Sequence, residues 1–211
     1  MNFDGMNIPL TDAGAVAVIV AHPDDETLWA GGTLLMQPGW HRRIVTLCRA
    51  GDMDRAPKFR RALQCYRAEG EMADLDDSPE QAPLPHALLE DTVVRLLGPG
   101  PFDILLTHGP RGEYTRHRRH EEVSRAVFAL WTAGRLPGRQ LWYFAYEDSN
   151  RAYYPRARAD ASYHLDLPEP LWQEKSRIIR EVYGFAPESW EARTTPRREA
   201  FQIVTEPNVL K

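Results

Sequence analysis

The stretch that most constrains this chain is Val16-Ala17-Val18-Ile19-Val20-Ala21, which runs directly into His22-Pro23-Asp24-Asp25-Glu26. A near-continuous apolar run rich in branched residues reads as a strand buried on both faces, the pattern of a parallel sheet. Its polar end delivers a histidine and three acids to the carboxyl edge of that sheet, where open α/β folds bind ligands. Proline and aspartate are also common in turns, and acids favour the first turn of a helix. An isolated Pro-Asp-Asp is therefore no more than a cap.

A second cluster argues for more than a cap. Glu113-Tyr114-Thr115-Arg116-His117-Arg118-Arg119-His120-Glu121-Glu122 opens an evident helix. His22 and Asp25 are three residues apart, and so are His117 and His120, so one turn can aim each pair at one point. Two imidazoles and a carboxylate form a three-ligand set with an open position, the usual form of a catalytic zinc site.

The rest of the chain alternates strands and helices. Helix one spans about Glu26 to Gln37, with Leu28, Leu34 and Leu35 inward. Gly31 and Gly32 weaken it by about 1 kcal/mol each relative to Ala, so they are expected to permit close packing on the strand. The second strand is Arg43 to Cys48, and the second helix runs from about Pro57 to Ala73, opening with proline. A short third strand is expected near Asp74 to Asp77. A proline-containing loop leads to a helix over Ala87–Leu97, closed by Gly98-Pro99-Gly100-Pro101. Strand four is Phe102 to Thr107, helix four about His117 to Ala133, and strand five Gln140 to Tyr146. The expected fold is α/β: a Rossmann-like three-layer α/β/α sandwich with a mainly parallel sheet. Both motifs then fall on one sheet edge, after strands one and four.

From Ser149 the pattern changes. Tyr153-Tyr154-Pro155 and Arg156 to Arg158 read as an exposed loop. Leu171 to Tyr183 reads as a helix with lysine and arginine on its outer face, and Glu199 to Val204 fits either a helix or a strand. The chain is thus expected to be one domain over residues 1–211, with 149–211 as an irregular and helical extension. A length of 211 residues, 43% of them hydrophobic, suits one sizeable core. A net charge of −4, with arginines interspersed among acids, gives no support for a nucleic-acid or membrane partner. Cys48 and Cys65 lack metal-type spacing, and reduced, half-buried thiols in a cytoplasmic protein are expected. Residues 1–12 lack the basic and apolar pattern of a secretory signal, and no apolar run has membrane-spanning length.

Ala21-His22-Pro23-Asp24-Asp25-Glu26 followed by His117-x-x-His120 resembles the PIG-L / LmbE-like family of zinc-dependent N-acetylglucosaminyl deacetylases. The resemblance extends from about Ala15 to near Lys175. Spacing alone leaves open which of Asp24 and Asp25 would bind metal. The resemblance implies His22, Asp25 and His120 as zinc ligands and Asp24 as general base. It implies that His117 polarises the carbonyl and steadies the oxyanion, for which it should be protonated. The alternative for His117 is a helix cap. The family's usual second motif is His-Pro-Asp-His, whose aspartate can orient the first histidine. Here Arg119 stands in that place, where a cation should lower the pKa of His117. Glu113, Glu121 or Glu122 is the expected substitute partner.

Gly51-Asp52 resembles the family's Gly-Glu step, making Asp52 a candidate for sugar hydroxyls. Arg61 is the candidate substrate-facing arginine, although the usual glutamate three residues later is Gln64. Asp52 as a turn residue and Arg61 as a solvated helix face are the plain alternatives. Trp29, Trp142 and Tyr143 suit either sugar stacking or core packing. Glu26 suits support of the metal site or the helix dipole.

The implied reaction is hydrolysis of an N-acetyl group on a small-molecule amino-sugar conjugate, with Zn2+ as cofactor and iron or cobalt able to take the same ligands. An amidase for a larger N-acyl sugar or thiol conjugate is a close rival, and a non-catalytic sugar-binding module a further one. A dinucleotide-binding domain is disfavoured: no Gly-x-Gly-x-x-Gly follows strand one, and acids stand where a pyrophosphate needs backbone amides.

Overall fold

The computed structural model describes residues 14–205; residues 1–12, where no secretory signal is expected, lie outside the described residues. Strand β1 (Ala15–Val20) leads into helix α1 (Asp25–Met36), followed by β2 (His41–Cys48), α2 (Arg55–Tyr66) and β3 (Glu69–Leu75). Then come α3 (His86–Leu97), β4 (Phe102–Thr107), α4 (Arg118–Thr132) and β5 (Gly138–Phe144). The remainder comprises β6 (Tyr146–Glu147), β7 (Arg156–Ala157), β8 (Tyr163–Asp166), α5 (Glu169–Arg177), a π-helical turn over Ile178–Val182, α6 (Trp190–Thr194) and β9 (Arg198–Val204).

Seven strands form one sheet in the order β3-β2-β1-β4-β5-β9-β8. The first five are parallel, and β9 pairs antiparallel with both β5 and β8. Side chains of β1 alternate between two cores, as a strand's period of two demands. Val16, Val18 and Val20 join residues of α1, α2 and the π-helical turn. Ala17, Ile19 and Ala21 join residues of α3 and α4. The sheet therefore carries helices on both faces, as expected of a Rossmann-like sandwich. Its strand order reverses between β1 and β4, which opens a crevice at their carboxyl ends. His22–Glu26 and His108–His120 border that crevice.

Several expectations need correction. Helix α2 ends at Tyr66, not Ala73, because Arg67 turns into the left-handed region at φ 49° and the chain enters β3 at Glu69. β3 is an edge strand with Glu69 and Glu71 exposed, so it lacks the apolar run that marks a buried strand. Lys175 does not lie on an outer face: it is wholly buried and its Nζ sits 2.7 Å from Glu199 Oε1. The stretch after residue 149 also supplies strands, with Glu199–Val204 falling in β9.

Lys175 and Glu199 explain the glycine pair. The Glu199 carboxylate accepts from the backbone N–H groups of Gly32 and Thr33, each at 2.7 Å, and from Thr33 Oγ1 at 2.6 Å. A Cβ on Gly32 would come within 2.2 Å of Leu167, and one on Gly31 within 2.9 Å of the Tyr66 hydroxyl. The close packing expected of these glycines is thus against α2 and the C-terminal segment, not against the strand.

Candidate metal centre and active site

The turn after β1 is closed by its own side chain. Asp25 Oδ2 accepts from the His22 backbone N–H at 2.9 Å and lies 3.1 Å from His22 Nδ1. Asp25 Oδ1 accepts from Trp29 Nε1–H at 3.1 Å, so Trp29 is a buried prop for this carboxylate. Asp24, at φ 117°, occupies backbone space that a non-glycine residue rarely adopts, a strain characteristic of functional turns. From α4, His120 brings Nε2 to 3.2 Å from His22 Nδ1 and 3.4 Å from Asp25 Oδ2. The three donors form a triangle with edges of 3.1, 3.2 and 3.4 Å.

That triangle fits a metal. Three tetrahedral donors at about 2.0–2.1 Å from zinc stand about 3.3–3.4 Å apart. The donor set is two imidazoles and a carboxylate, the mixture suited to zinc and related divalent ions. The surrounding donors converge as well, His22 with His117 and His120, and Asp25 with His108 and His120. The buried ring nitrogens without a hydrogen-bond partner among the described residues, His22 Nε2 and His117 Nδ1, are not the donor atoms of the triangle. His22 Nε2 does lie 3.2 Å from Asp77 Oδ1, close enough for attraction but poorly aligned for a hydrogen bond.

A second layer fixes the histidines. Glu113 Oε2 lies 2.7 Å from His120 Nδ1 and 3.0 Å from His108 Nδ1. His108 Nε2 accepts the Ala21 backbone N–H at 2.9 Å, so its hydrogen is on Nδ1 and points to Glu113. Without a cation, burial opposes charge on His120, but Asp25 and Glu113 outweigh it and raise its pKa to about 10. Burial likewise opposes charge on Glu113, yet His108 and His120 hold it down to about 2. Asp24 is pushed up to about 8 by burial and by Asp25, against the pull of Arg55, whose Nη1 donates to Asp24 Oδ2 at 2.6 Å.

His117 caps α4 with its backbone, and its ring centroid lies 4.5 Å from that of His22 and 4.6 Å from that of His120. Burial, then His120 and His22, lower its pKa to about 3, so its surroundings favour a neutral ring over the protonated one expected. Arg119 is not the cause, because it turns away into the loop over residues 76–82. None of the three expected acids holds His117. Glu113 serves His108 and His120, Glu121 pairs with Arg116, and Glu122 pairs with Arg119. The contact to His117 is Gln81, at 3.2 Å.

A cavity of about 1130 Å³ opens over this centre, bordered by His22, Asp24, Asp25 and His117. Arg49, Asp52, Arg55 and Asp77 also line it, as do Tyr114, Tyr153, Tyr154 and Trp190. Asp52 is at the cavity, with Oδ1 accepting from the N–H groups of Asp54 and Arg55 at the start of α2. Arg61 is not brought there: it is exposed and donates to the Val182 carbonyl at 3.2 Å. Trp142 and Tyr143 are core residues. Glu26 is wholly buried, and its carboxylate accepts from Thr27 Oγ1, Tyr183 OH and the Asp24 N–H, which stiffens the turn. Sequence reasoning missed Arg55, Asp77, Gln81 and His108. Only His108, directly after the carboxyl end of β4, carried a local signal.

Fold and site together define an α/β protein with a metal-competent histidine–aspartate centre at the switch point of its sheet. The family described as PIG-L, GlcNAc-PI de-N-acetylase, matches residues 17–131, more than half of the sequence, and the chain belongs to this family. No curated protein sequence matches it. Among solved structures, GalB, the 4-carboxy-2-hydroxymuconate hydratase from Pseudomonas putida KT2440, is similar with a TM-score of 0.61 at 17% identity, covering 90% of this chain and 95% of that one. The A40926 pseudoaglycone deacetylase gives 0.60 at 13% identity over 90% and 97% of the two chains. A zinc-inhibited form of teicoplanin deacetylase gives 0.58 at 13% identity over 80% and 84%. At these identities the likeness is one of fold.

Proposed function

We propose that this protein is a divalent-metal-dependent amide hydrolase that removes the N-acetyl group from an amino-sugar conjugate. The observation that carries the reading is the donor triangle of His22, Asp25 and His120 beside an acid, Asp24, that is not part of it. Family membership and the two neighbours named as deacetylases support it. Zn2+ is the ion best suited to this donor set; when bound, such an ion supplies a Lewis acid, makes water a nucleophile near neutrality and favours the ionised form of adjacent carboxylates.

The residues then divide the work. Asp24, held by Arg55 on one oxygen, takes a proton from the attacking water. The water oxygen adds to the amide carbonyl carbon, and negative charge develops on the carbonyl oxygen. His117, at the cavity wall, donates a hydrogen bond to that oxygen. Collapse breaks the carbon–nitrogen bond, and the proton held by Asp24 passes to the leaving amine, leaving acetate. Asp52 is the proposed contact to sugar hydroxyls. Arg61 has no part in this scheme, and Arg55 takes the place at the cavity that was expected of it.

The test is a panel of N-acyl glucosamine conjugates assayed for released amine, with and without chelator. Chelation should abolish turnover and added zinc should restore it. Asp24→Asn should keep one zinc per chain by elemental analysis and lose about 10²–10⁴ in rate. Unchanged turnover after complete removal of metal would refute the proposal. The size of the cavity favours one second reading, an amidase for a larger acyl group, which predicts faster release from long N-acyl chains than from N-acetyl.

A further inference from the structure

Arg119 occupies the place between the paired histidines where the family pattern has an acid, and its side chain is wholly buried. Nη1 donates to Glu122 Oε2 at 2.5 Å. Nε donates to the Asp76 carbonyl at 2.5 Å, and Nη2 to the Ala82 carbonyl at 3.0 Å and to Asp76 Oδ2 at 3.2 Å. One guanidinium therefore grips both ends of the segment 76–82, using the planar fork that suits arginine to such a task.

That segment carries Gln81 to the active site. Gln81 Nε2 lies 3.0 Å from Asp77 Oδ1 and 3.2 Å from His117 Nε2. Asp77 also accepts from Arg49 at 2.6 and 3.0 Å, so its carboxylate is an acceptor. The Gln81 atom facing it must then be the amide nitrogen, which settles the orientation of the side chain. A primary amide has two hydrogens, one for each contact. His117 Nε2 consequently accepts, and the ring hydrogen belongs on Nδ1, the atom left without a partner among the described residues.

We infer that Gln81 is the positioning residue of His117: held by Asp77, and presented by the loop that Arg119 ties down, it fixes the ring with its hydrogen on Nδ1. Arg119 and Gln81 together thus take over the orienting task of the missing acid. The inference rests on the role of His117 proposed above, and it differs in using an amide from a separate loop.

The test has a readout independent of turnover. Imidazole nitrogen shifts, read by long-range NMR correlation on zinc-loaded protein, report which ring nitrogen carries the hydrogen. Wild-type His117 should show the Nδ1–H form. Gln81→Leu removes the donor, and Gln81→Glu replaces it with an acceptor; both should move the hydrogen to Nε2. Both should lower kcat about 10–100-fold with KM within twofold and zinc content unchanged. Glu80→Ala, on the same loop, should leave shifts and rates as in the wild type. Retention of the Nδ1–H form in both Gln81 variants overturns the inference, as does loss of zinc in parallel with rate. A wild-type protein that shows these shifts yet hydrolyses no N-acyl conjugate overturns the proposed activity while leaving the Gln81–His117 pairing in place.

Discussion

At the scale of single residues, the least visible feature in the sequence is the buried pair of Lys175 and Glu199. Lys175 Nζ also donates to the Pro196 carbonyl, while Glu199 spends its oxygens on Gly32 and Thr33. Removing one partner of such a pair leaves a charge in a low-dielectric interior, at a cost of about 3–5 kcal/mol. Lys175→Met should therefore lower the denaturation midpoint strongly, and Lys175→Met combined with Glu199→Gln should recover part of the loss. Urea titrations of the two variants check this; equal stability of the single variant and wild type would contradict the pairing. Cys48 is the opposite case. Burial pushes its thiol up to about 12, so it remains a protonated core group, in keeping with its branched neighbours in β2. The two clusters were legible because each is local: His22 and Asp25 stand three residues apart after β1, and His117 and His120 three apart at the start of α4, while the choice of Asp25 over Asp24 came from the family resemblance and not from spacing. Gln81, Asp77 and Arg55 were not, because their roles depend on contacts between segments that only the folded chain brings together. Arg61 shows the same limit from the other side. It sits midway along α2 and reaches the Val182 carbonyl, whereas Arg55 starts that helix beside the sheet edge.

At the scale of elements, strands buried on both faces are the easier ones to read. Phe102–Thr107 matches its expected bounds, whereas the polar edge strand β3 departs from them. Helix α1 shows how propensity yields to packing. Gly31 and Gly32 are poor helix formers, yet they let the Glu199 carboxylate and the Leu167 side chain reach the helix backbone. Replacing Gly32 by alanine should gain about 1 kcal/mol of intrinsic helix preference. It should lose more, because the new methyl meets Leu167 at 2.2 Å and overpacking costs about 1–3 kcal/mol. The expected outcome is a net drop in thermal midpoint, which calorimetry on Gly32→Ala would measure. A rise would mean that Leu167 swings aside freely.

At the scale of the whole molecule, the centre joins β1, α1, β4 and α4 through one cluster of side chains. On the proposed reading, an ion bound there favours the folded state by mass action, worth about 2.7 kcal/mol at a hundredfold excess over its dissociation constant. Chelation should lower the thermal midpoint by several degrees, and zinc should restore it; the same midpoint in both conditions would argue against tight binding. No helix among the described residues is long and apolar enough to cross a membrane. The C-terminal strand has a wider consequence. β9 covers the flank of β5 and carries the carboxylate that grips α1, the helix whose first turn holds Asp25. Trimming the chain to the segment that the family shares would strip this clasp, bare a sheet edge to its neighbours in solution and leave the His22–Glu26 turn resting on an unbraced helix.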